Sequence, residues 1–339
     1  MLVETRFART ADGVTIGYQV LGRGPALIWM PSLSNVTAQW RIPALRAAYL
    51  ALARECTLVL YDGRGTGTSS RDIDLGDLGV EAHLRDLIAV LDATGLRRAT
   101  LLGYYHSVAT AIACAATQPR RVDRLVLYGG AARMSEAMQP AQTRALLSLV
   151  DQDWSLFADA AATAWLGWDG TESGRWTAEA FRTATTPAIA KAWFSAARDI
   201  DVTPLLPEIE APTLVVHRQG DQQIPVEVFR RLTTAIPGAR LVELPGSTPT
   251  LFVEDPAADL SLITGFATDG RISRTAVTGA LTRREREVLH RLAAGDTNAE
   301  IGDQLGIAVH TVERHLANIY RKLGVRGRTA AVAYALRGV

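Results

Sequence analysis

Apolar residues in the first two thirds of the chain come in short, nearly unbroken runs. These are Val14–Val20, Ala26–Met30, Thr57–Tyr61, Thr100–Leu102, Arg124–Tyr128, Thr213–His217 and Arg240–Leu244. Runs this short and continuous predict parallel strands covered on both faces. Between them, Val80–Thr94, His106–Thr117 and Val226–Ala235 are helical in pattern. The alternation predicts an α/β domain built on a mainly parallel sheet.

Residues from Met134 to about Thr203 break that alternation. They are helical in character and hold Trp154, Trp165, Trp168, Trp176 and Trp193, five of the seven tryptophans. An insertion at this point of an α/β chain sits as a lid over the carboxyl edge of the sheet. Its rings can form the lid's own core or face a cavity beneath it. Thr268–Ala280 is polar, small and aperiodic, and reads as a linker.

The remaining residues, 281–339, form a second pattern. Thr282 with Glu285, and Thr297 with Glu300, are capping boxes that each mark a helix start. Gly295 and Gly324 fit helix ends. Val309, Val312, Leu316, Ile319 and Leu323 recur at three- and four-residue spacing and are expected to face a small core. The opposite face presents His310, Glu313, Arg314, Ala317 and Arg321.

Composition adds three constraints. The 339 residues are 48% apolar and 21% charged, as in a globular protein with room for two domains. No apolar run approaches the roughly 18 residues that cross a membrane, and the amino terminus lacks the basic start and apolar core of a secretory signal. Cys56 and Cys114 lie in apolar patterns and read as buried free thiols, so a cytoplasmic protein is expected. Net charge is +1, but residues 281–339 carry ten Arg or Lys against six Asp or Glu, leaving 26 and 29 upstream. A basic tail behind a mildly acidic body points to a nucleic-acid partner.

The candidate chemistry lies at Gly103-Tyr104-Tyr105-His106-Ser107, between a predicted strand and an alanine-rich helix. This strand–turn–helix resembles the nucleophile elbow, G-x-S-x-G. Gly103 keeps the first glycine, Tyr105 stands at the nucleophile and Ser107 replaces the second glycine. Asp62-Gly-Arg-Gly-Thr-Gly-Thr-Ser69 looks like the D-x-R-G-x-G-x-S turn. Pro212–Asp221 looks like the strand that presents the catalytic acid, with Asp221 in that role. Leu244–Pro256 matches the segment that carries the histidine, where Pro249 now stands. Together the four motifs resemble the α/β-hydrolase fold over roughly residues 5–267. The fold class expected is therefore α/β, an α/β-hydrolase-like sheet with a helical lid at about 134–203. A linker at 268–280 and a small all-α domain at 281–339 follow.

Two of the three triad roles are vacant. A phenol at Tyr105, with an ordinary pKa of about 10, is no activated nucleophile, and Pro249 cannot accept a proton. His83, His106 and His217 lie off the loop after the last strand. A displaced His106–Ser107 pair is the remaining hydrolytic option, although adjacent residues at a helix start point different ways. Backbone N–H groups near Ser32 and Leu33 stand where the oxyanion site would be. The expectation is a catalytically silent domain, with no cofactor and no metal, that keeps a cavity for a small apolar or amphipathic ligand. Its candidate lining is Ser32, Leu33, Trp40, Tyr104, Tyr105, His106, Trp154, Trp165, Trp168, Trp193, Asp221 and Pro249. The alternatives are a ring that merely plugs the fold, and an active esterase-type hydrolase with a DNA-binding tail.

Leu281–Leu289, Ala294–Ile301 and Thr311–Val325 closely resemble the LuxR/GerE-type helix-turn-helix. The resemblance implies operator DNA as partner, with the second helix of the motif in the major groove. Arg314 suits guanine and Glu313 can accept from cytosine, with His310, Thr311, Ala317 and Arg321 on the same helix. Thr297, Asn298 and Lys322 are placed for phosphates, and the helix start at Thr297 for an anion. The last helix, Thr329–Leu336, has an alanine-rich face suited to pairing with its copy in a homodimer. RNA polymerase is a further partner to consider, and no membrane is. No receiver pattern supports a phosphorelay regulator. The expected whole is a ligand-responsive transcription regulator.

Overall fold

The computed structural model describes residues 3–337 apart from 34, 139–140, 167–171, 222, 248–249, 271–280, 282, 324 and 326. Strands β1 (Arg6–Arg9), β2 (Thr15–Leu21), β3 (Ala26–Trp29), β4 (Thr57–Tyr61), β5 (Ala99–Tyr104), β6 (Val122–Tyr128), β7 (Thr213–Arg218) and β8 (Arg240–Leu244) form one sheet. Their order is β1-β2-β4-β3-β5-β6-β7-β8. β1 and β2 pair antiparallel with each other, β2 pairs antiparallel with β4, and the remaining pairs are parallel. The sequence predicted seven of these strands to within about two residues at each end and missed β1. Only Ala8 of its Arg-Phe-Ala-Arg is buried, so this edge strand has no apolar run to detect.

Alternation along the central strands divides the core in two, as period-two side chains require. Leu101, Leu125, Leu127 and Val215 face one way. They pack on helices α3 (Val80–Ala93), α4 (Ser107–Thr117) and α10 (Val226–Ala235) through Leu87, Val90, Ile112 and Phe229. Leu102, Val126, Tyr128 and Val216 face the other way. They meet α2 (Pro43–Glu55) and α11 (Pro256–Asp269) through Tyr49, Leu52, Leu262 and Phe266. A short helix α1 (Val36–Gln39) precedes α2. α11 runs two residues into the stretch read as linker and ends at Gly270, whose left-handed φ of +66° lets its N–H reach the Gly265 and Phe266 carbonyls.

The lid consists of α5 (Met134–Met138), α6 (Ala141–Gln152), α7 (Trp154–Leu166), α8 (Glu172–Ala184) and α9 (Pro187–Arg198). Phe157, Ala161, Trp193 and Phe194 form its core, and Leu33 and Leu78 of the body join it. The Asp62–Ser69 turn holds the lid down. Gly67 donates its N–H to the Ala184 carbonyl at 2.7 Å, and the Thr185 hydroxyl donates to the Gly65 carbonyl at 2.7 Å. The Arg41 guanidinium lies 3.5 Å from the centre of the Trp176 ring.

Behind residue 270 the described helices are α12 (Arg283–Ala293), α13 (Asn298–Leu305), α14 (Val309–Leu323) and α15 (Arg328–Arg337). Their core is Val288, Leu292, Ile301, Val312, Leu316, Ile319 and Ala331. Two expectations change here. Val309 is 44% exposed, because it is the first residue of α14 and the core begins one turn later at Val312. Ala331 is fully buried in the module's own core, with Ala335 packed against that core, so these alanines are spent inside the module. No helix among the described residues is long and apolar enough to cross a membrane.

One buried ion pair ties the far strands to α11. Arg218 and Asp259 are each about 1% exposed and 2.6 Å apart. Arg218 also donates to the Tyr128 hydroxyl and the Pro245 carbonyl, and Asp259 accepts from the Phe252 N–H. Burial pushes the Asp259 carboxyl up to about 6 against the opposing pull of Arg218. Arg218→Met is expected to cost about 3–5 kcal/mol in urea unfolding at pH 8, with much of it restored by Asp259→Leu in the same chain. The loss shrinks as pH falls, because a carboxyl raised above its unfolded value is penalised only where it is ionised.

Candidate functional site

The backbone of the elbow is intact. Tyr105 sits between β5 and α4 with φ of +51°, the left-handed region that a bulky side chain enters at a cost of about 1–3 kcal/mol. Its N–H donates to the Tyr128 carbonyl at 3.0 Å. Two glycines clear the space around it. A Cβ at Gly130 would stand 2.3 Å from the Tyr105 carbonyl oxygen, and one at Gly103 would press on Ala111 and Val108.

The groups carried on that backbone are packed and hydrogen-bonded. The Tyr105 ring lies over Gly129 and meets Tyr104 edge-on at 4.7 Å. Tyr104 in turn stacks parallel to Tyr128. Burial drives the Tyr105 phenol well above its ordinary pKa, which favours the neutral form. The Ser107 hydroxyl is turned back into the elbow, where it accepts from the Tyr104 N–H at 2.9 Å and donates to the Tyr104 carbonyl at 3.0 Å. The displaced serine is therefore a structural clasp. His106 packs on Trp193 at 4.2 Å and on Phe194, and burial pushes its imidazole down to about 3. Asp221 accepts the Gln223 N–H at 2.8 Å, and burial raises its carboxyl.

Asp62 organises the oxyanion side. It accepts from the Val36 N–H, the Thr68 N–H and the Thr68 hydroxyl, each at 2.8 Å. Burial raises its carboxyl and these bonds pull it back. Gly67 is required at its side, since a Cβ there would fall 2.2 Å from the carboxylate. The loop bearing Ser32 and Leu33 is thus fixed to the Asp62–Ser69 turn.

Beneath the lid lies a cavity with about 700 Å³ of empty space, partly open to solvent. Ser32, Leu33, Tyr105 and His106 line it as the sequence proposed. A second space of about 560 Å³ lies behind His106 and Trp193 and is walled by Arg64, His83 and Asp86. A third, of about 670 Å³, is bounded by Tyr49, Tyr104 and Thr250. Ser32 borders all three. Trp40 lies elsewhere, edge-on to Tyr49 with its indole N–H on Gln19. Trp154 stacks on Phe157 in the lid core and donates to the Arg182 carbonyl. Neither belongs to the cavity walls. Trp168 and Pro249 lie outside the described residues, as does the Trp165 side chain.

The sequence reading overlooked Met134, Met138, Leu147, Phe181, Phe194 and Gln223, which complete the apolar cavity. Their signal is present in the apolar positions of α5, α6, α8 and α9. Ring size drew attention to the tryptophans, although size alone does not say which face of a lid helix a residue occupies.

In the C-terminal module the Thr297–Glu300 capping box is closed on both sides. The Thr297 N–H and hydroxyl both donate to the Glu300 carboxylate, so that helix start already holds its own anion. The Asn298 side-chain oxygen accepts from Arg328, which also donates to the Asp296 backbone carbonyl. Gly302 allows the tight approach of α13 to the following turn, because a Cβ there would meet the Ile307 carbonyl at 2.7 Å. His310, Glu313, Arg314 and Ala317 are exposed and Thr311 is half-buried. The Arg321 and Lys322 side chains, Thr282 and Gly324 lie outside the described residues.

Comparison with known proteins agrees with both halves. The family model for the alpha/beta hydrolase fold matches residues 25–256, and that for luxR-family bacterial regulatory proteins matches residues 279–335. RutD of Caulobacter segnis, provisionally named a carbamate hydrolase, is 26% identical over 265 residues, covering 73% of this chain and 93% of that protein. The transcriptional regulatory protein LiaR of Bacillus subtilis is 50% identical over 58 residues, only 17% of this chain and 28% of that protein. The esterase RhEst1 from Rhodococcus sp. ECU1013 superposes with a TM-score of 0.67 at 24% identity, covering 78% of this chain and 98% of that one. At that identity the likeness speaks for the fold alone.

The buried neutral imidazole has a consequence for acid stability. An unfolded histidine takes a proton below about pH 6.5, whereas His106 in the fold resists until about 3. The unfolded chain therefore binds more protons in that window, and stability present above pH 6.5 is lost as pH falls. The ring is expected to remove about 1–2 kcal/mol between pH 7 and pH 5. Urea midpoints of His106→Phe, measured across that range, should lack this part of the slope.

Proposed function

The chain belongs to the alpha/beta hydrolase fold family and carries a luxR-family DNA-binding module behind it, and from that premise we propose that its body senses a small molecule and hydrolyses nothing. The module makes the chain a DNA-binding regulator. The reading of the body rests on one observation above all. At the elbow, the position of the nucleophile is held by a tyrosine ring, and the neighbouring serine is bonded to the Tyr104 backbone. Acyl transfer needs an activated nucleophile, and here the phenol is held above its ordinary pKa while the serine hydroxyl is taken up by the Tyr104 backbone. The cavity beneath the lid supports the sensing role, being enclosed mainly by apolar side chains with a few polar groups.

In this reading the occupied and empty bodies differ in their affinity for operator DNA. The ligand must favour one state, because equal affinity for both shifts nothing. The effect is reciprocal, so operator DNA changes ligand affinity by the same factor. The luxR-family resemblance, and not the alanine face of α15, carries the further proposal of a homodimer acting in the cytoplasm on half-sites about one helical turn apart.

Hydrolysis is tested with p-nitrophenyl butyrate and a fluorophosphonate label. The wild-type chain is expected to show no turnover above buffer and no adduct. Saturable turnover that disappears in Tyr105→Phe or Ser107→Ala would defeat the silent-body reading and establish an esterase with a DNA-binding tail. DNA recognition is tested by fluorescence anisotropy on a selected operator. Arg314→Ala is expected to lose about 1–3 kcal/mol on the operator and little on unrelated DNA. Lys322→Ala should weaken every sequence alike and lower the salt slope by about one. Equal losses on all sequences from Arg314→Ala would exclude base reading by that side chain.

A further inference from the structure

The walls of the apolar cavity carry a chemical selection of their own. Among its described lining residues there is no Asp, Glu, Lys or Arg. Its polar groups are those of Ser32, Tyr105, His106, Thr143 and Gln223. The one titratable base among them, His106, stays neutral because burial in contact with Trp193 and Phe194 opposes its protonation. Two buried cations behind these walls are already committed. Arg64, behind the His106 wall, is 2% exposed and bonded to Asp86 at 3.0 Å and to Asp12 at 2.9 Å. Arg218, below the elbow, is bonded to Asp259. An ion entering the apolar part of this space would lose water and meet no counter-ion among the described lining residues, whereas a hydroxyl or carbonyl would find hydrogen-bond partners at the elbow end.

We infer that the cavity selects an uncharged, chiefly apolar molecule bearing one hydroxyl or carbonyl group, and rejects carboxylates and ammonium ions of the same skeleton. The inference rests on the reading that the cavity takes a ligand, and it narrows that ligand by charge. The polar group sits at the end formed by Ser32, Tyr105 and His106, and the hydrocarbon lies along Met134, Met138 and Phe181 of the lid.

The test uses the full chain at pH 7.5 with four probes below their micelle concentrations: 1-decanol, 2-undecanone, decanoate and decylammonium. Binding is read by tryptophan fluorescence and by the shift in thermal midpoint. Decanol and undecanone are expected to bind, and the two ions to bind at least about 100-fold more weakly, reflecting the unpaired charge. Met138→Trp, which fills the cavity, should abolish binding of the neutral pair. Thr143→Lys, which places a cation on the wall, should raise decanoate affinity at least about tenfold and leave decylammonium excluded. Should Met138→Trp fail to fold, the lysine variant decides alone. Ions that bind within threefold of decanol, or neutral probes that do not bind, overturn the inference. So does a lysine variant with unchanged decanoate affinity. Operator affinity measured on the same samples separates the two readings: neutral probes that bind without changing it would end the sensing role and leave the charge selection standing.

Discussion

A left-handed backbone at residue 105 is the constraint on which the rest of the body depends. β5 must end, turn and enter α4 within two residues, and only that conformation lets Gly103, Gly130 and the Tyr128 carbonyl close around the turn. The geometry is imposed by the sheet and the helix, with no contribution from a reacting side chain. It can therefore hold with a tyrosine at the central position. A tyrosine placed there is carried to the floor of the space under the lid, where its ring rests on Gly129 and Tyr104. The same frame explains why Ser107 turns inward, since its hydroxyl satisfies both polar groups of the Tyr104 peptide at the point where strand bonding stops.

Much of this was legible in the sequence, for physical reasons. Central strands buried on both faces carry a continuous apolar stretch, so β4, β6 and β7 announced themselves. The Thr297–Glu300 box is a local hydrogen-bond pattern and needed no tertiary information. β1 was silent because an edge strand with a solvated face can be written in arginine. Val309 has the right spacing for the stripe, yet periodicity does not say where along a helix the core begins.

The cavity was the least legible part. Trp40 and Trp154 are as apolar as Phe181 and Phe194, and only packing assigns the first pair to structural contacts and the second to the cavity wall. The buried ionic groups were equally hidden. Arg64 with Asp86, and Arg218 with Asp259, are far apart in sequence, and their chemistry reads as surface charge until the fold joins them. Asp62 was recognised by motif, but its role as the acceptor that holds the Val36 loop came only from geometry.

The attachment of the lid to the Asp62–Ser69 turn has a kinetic meaning. Two backbone-anchored bonds and the Arg41–Trp176 contact must part before the lid can swing, so the opening already present widens only on their rupture. For a ligand of the proposed sensing body that is too large for the existing opening, exchange would be set by the frequency of that swing. Slow exchange of this kind would make the occupied state outlast a brief fall in the surrounding concentration, giving the molecule a short memory of what it last met.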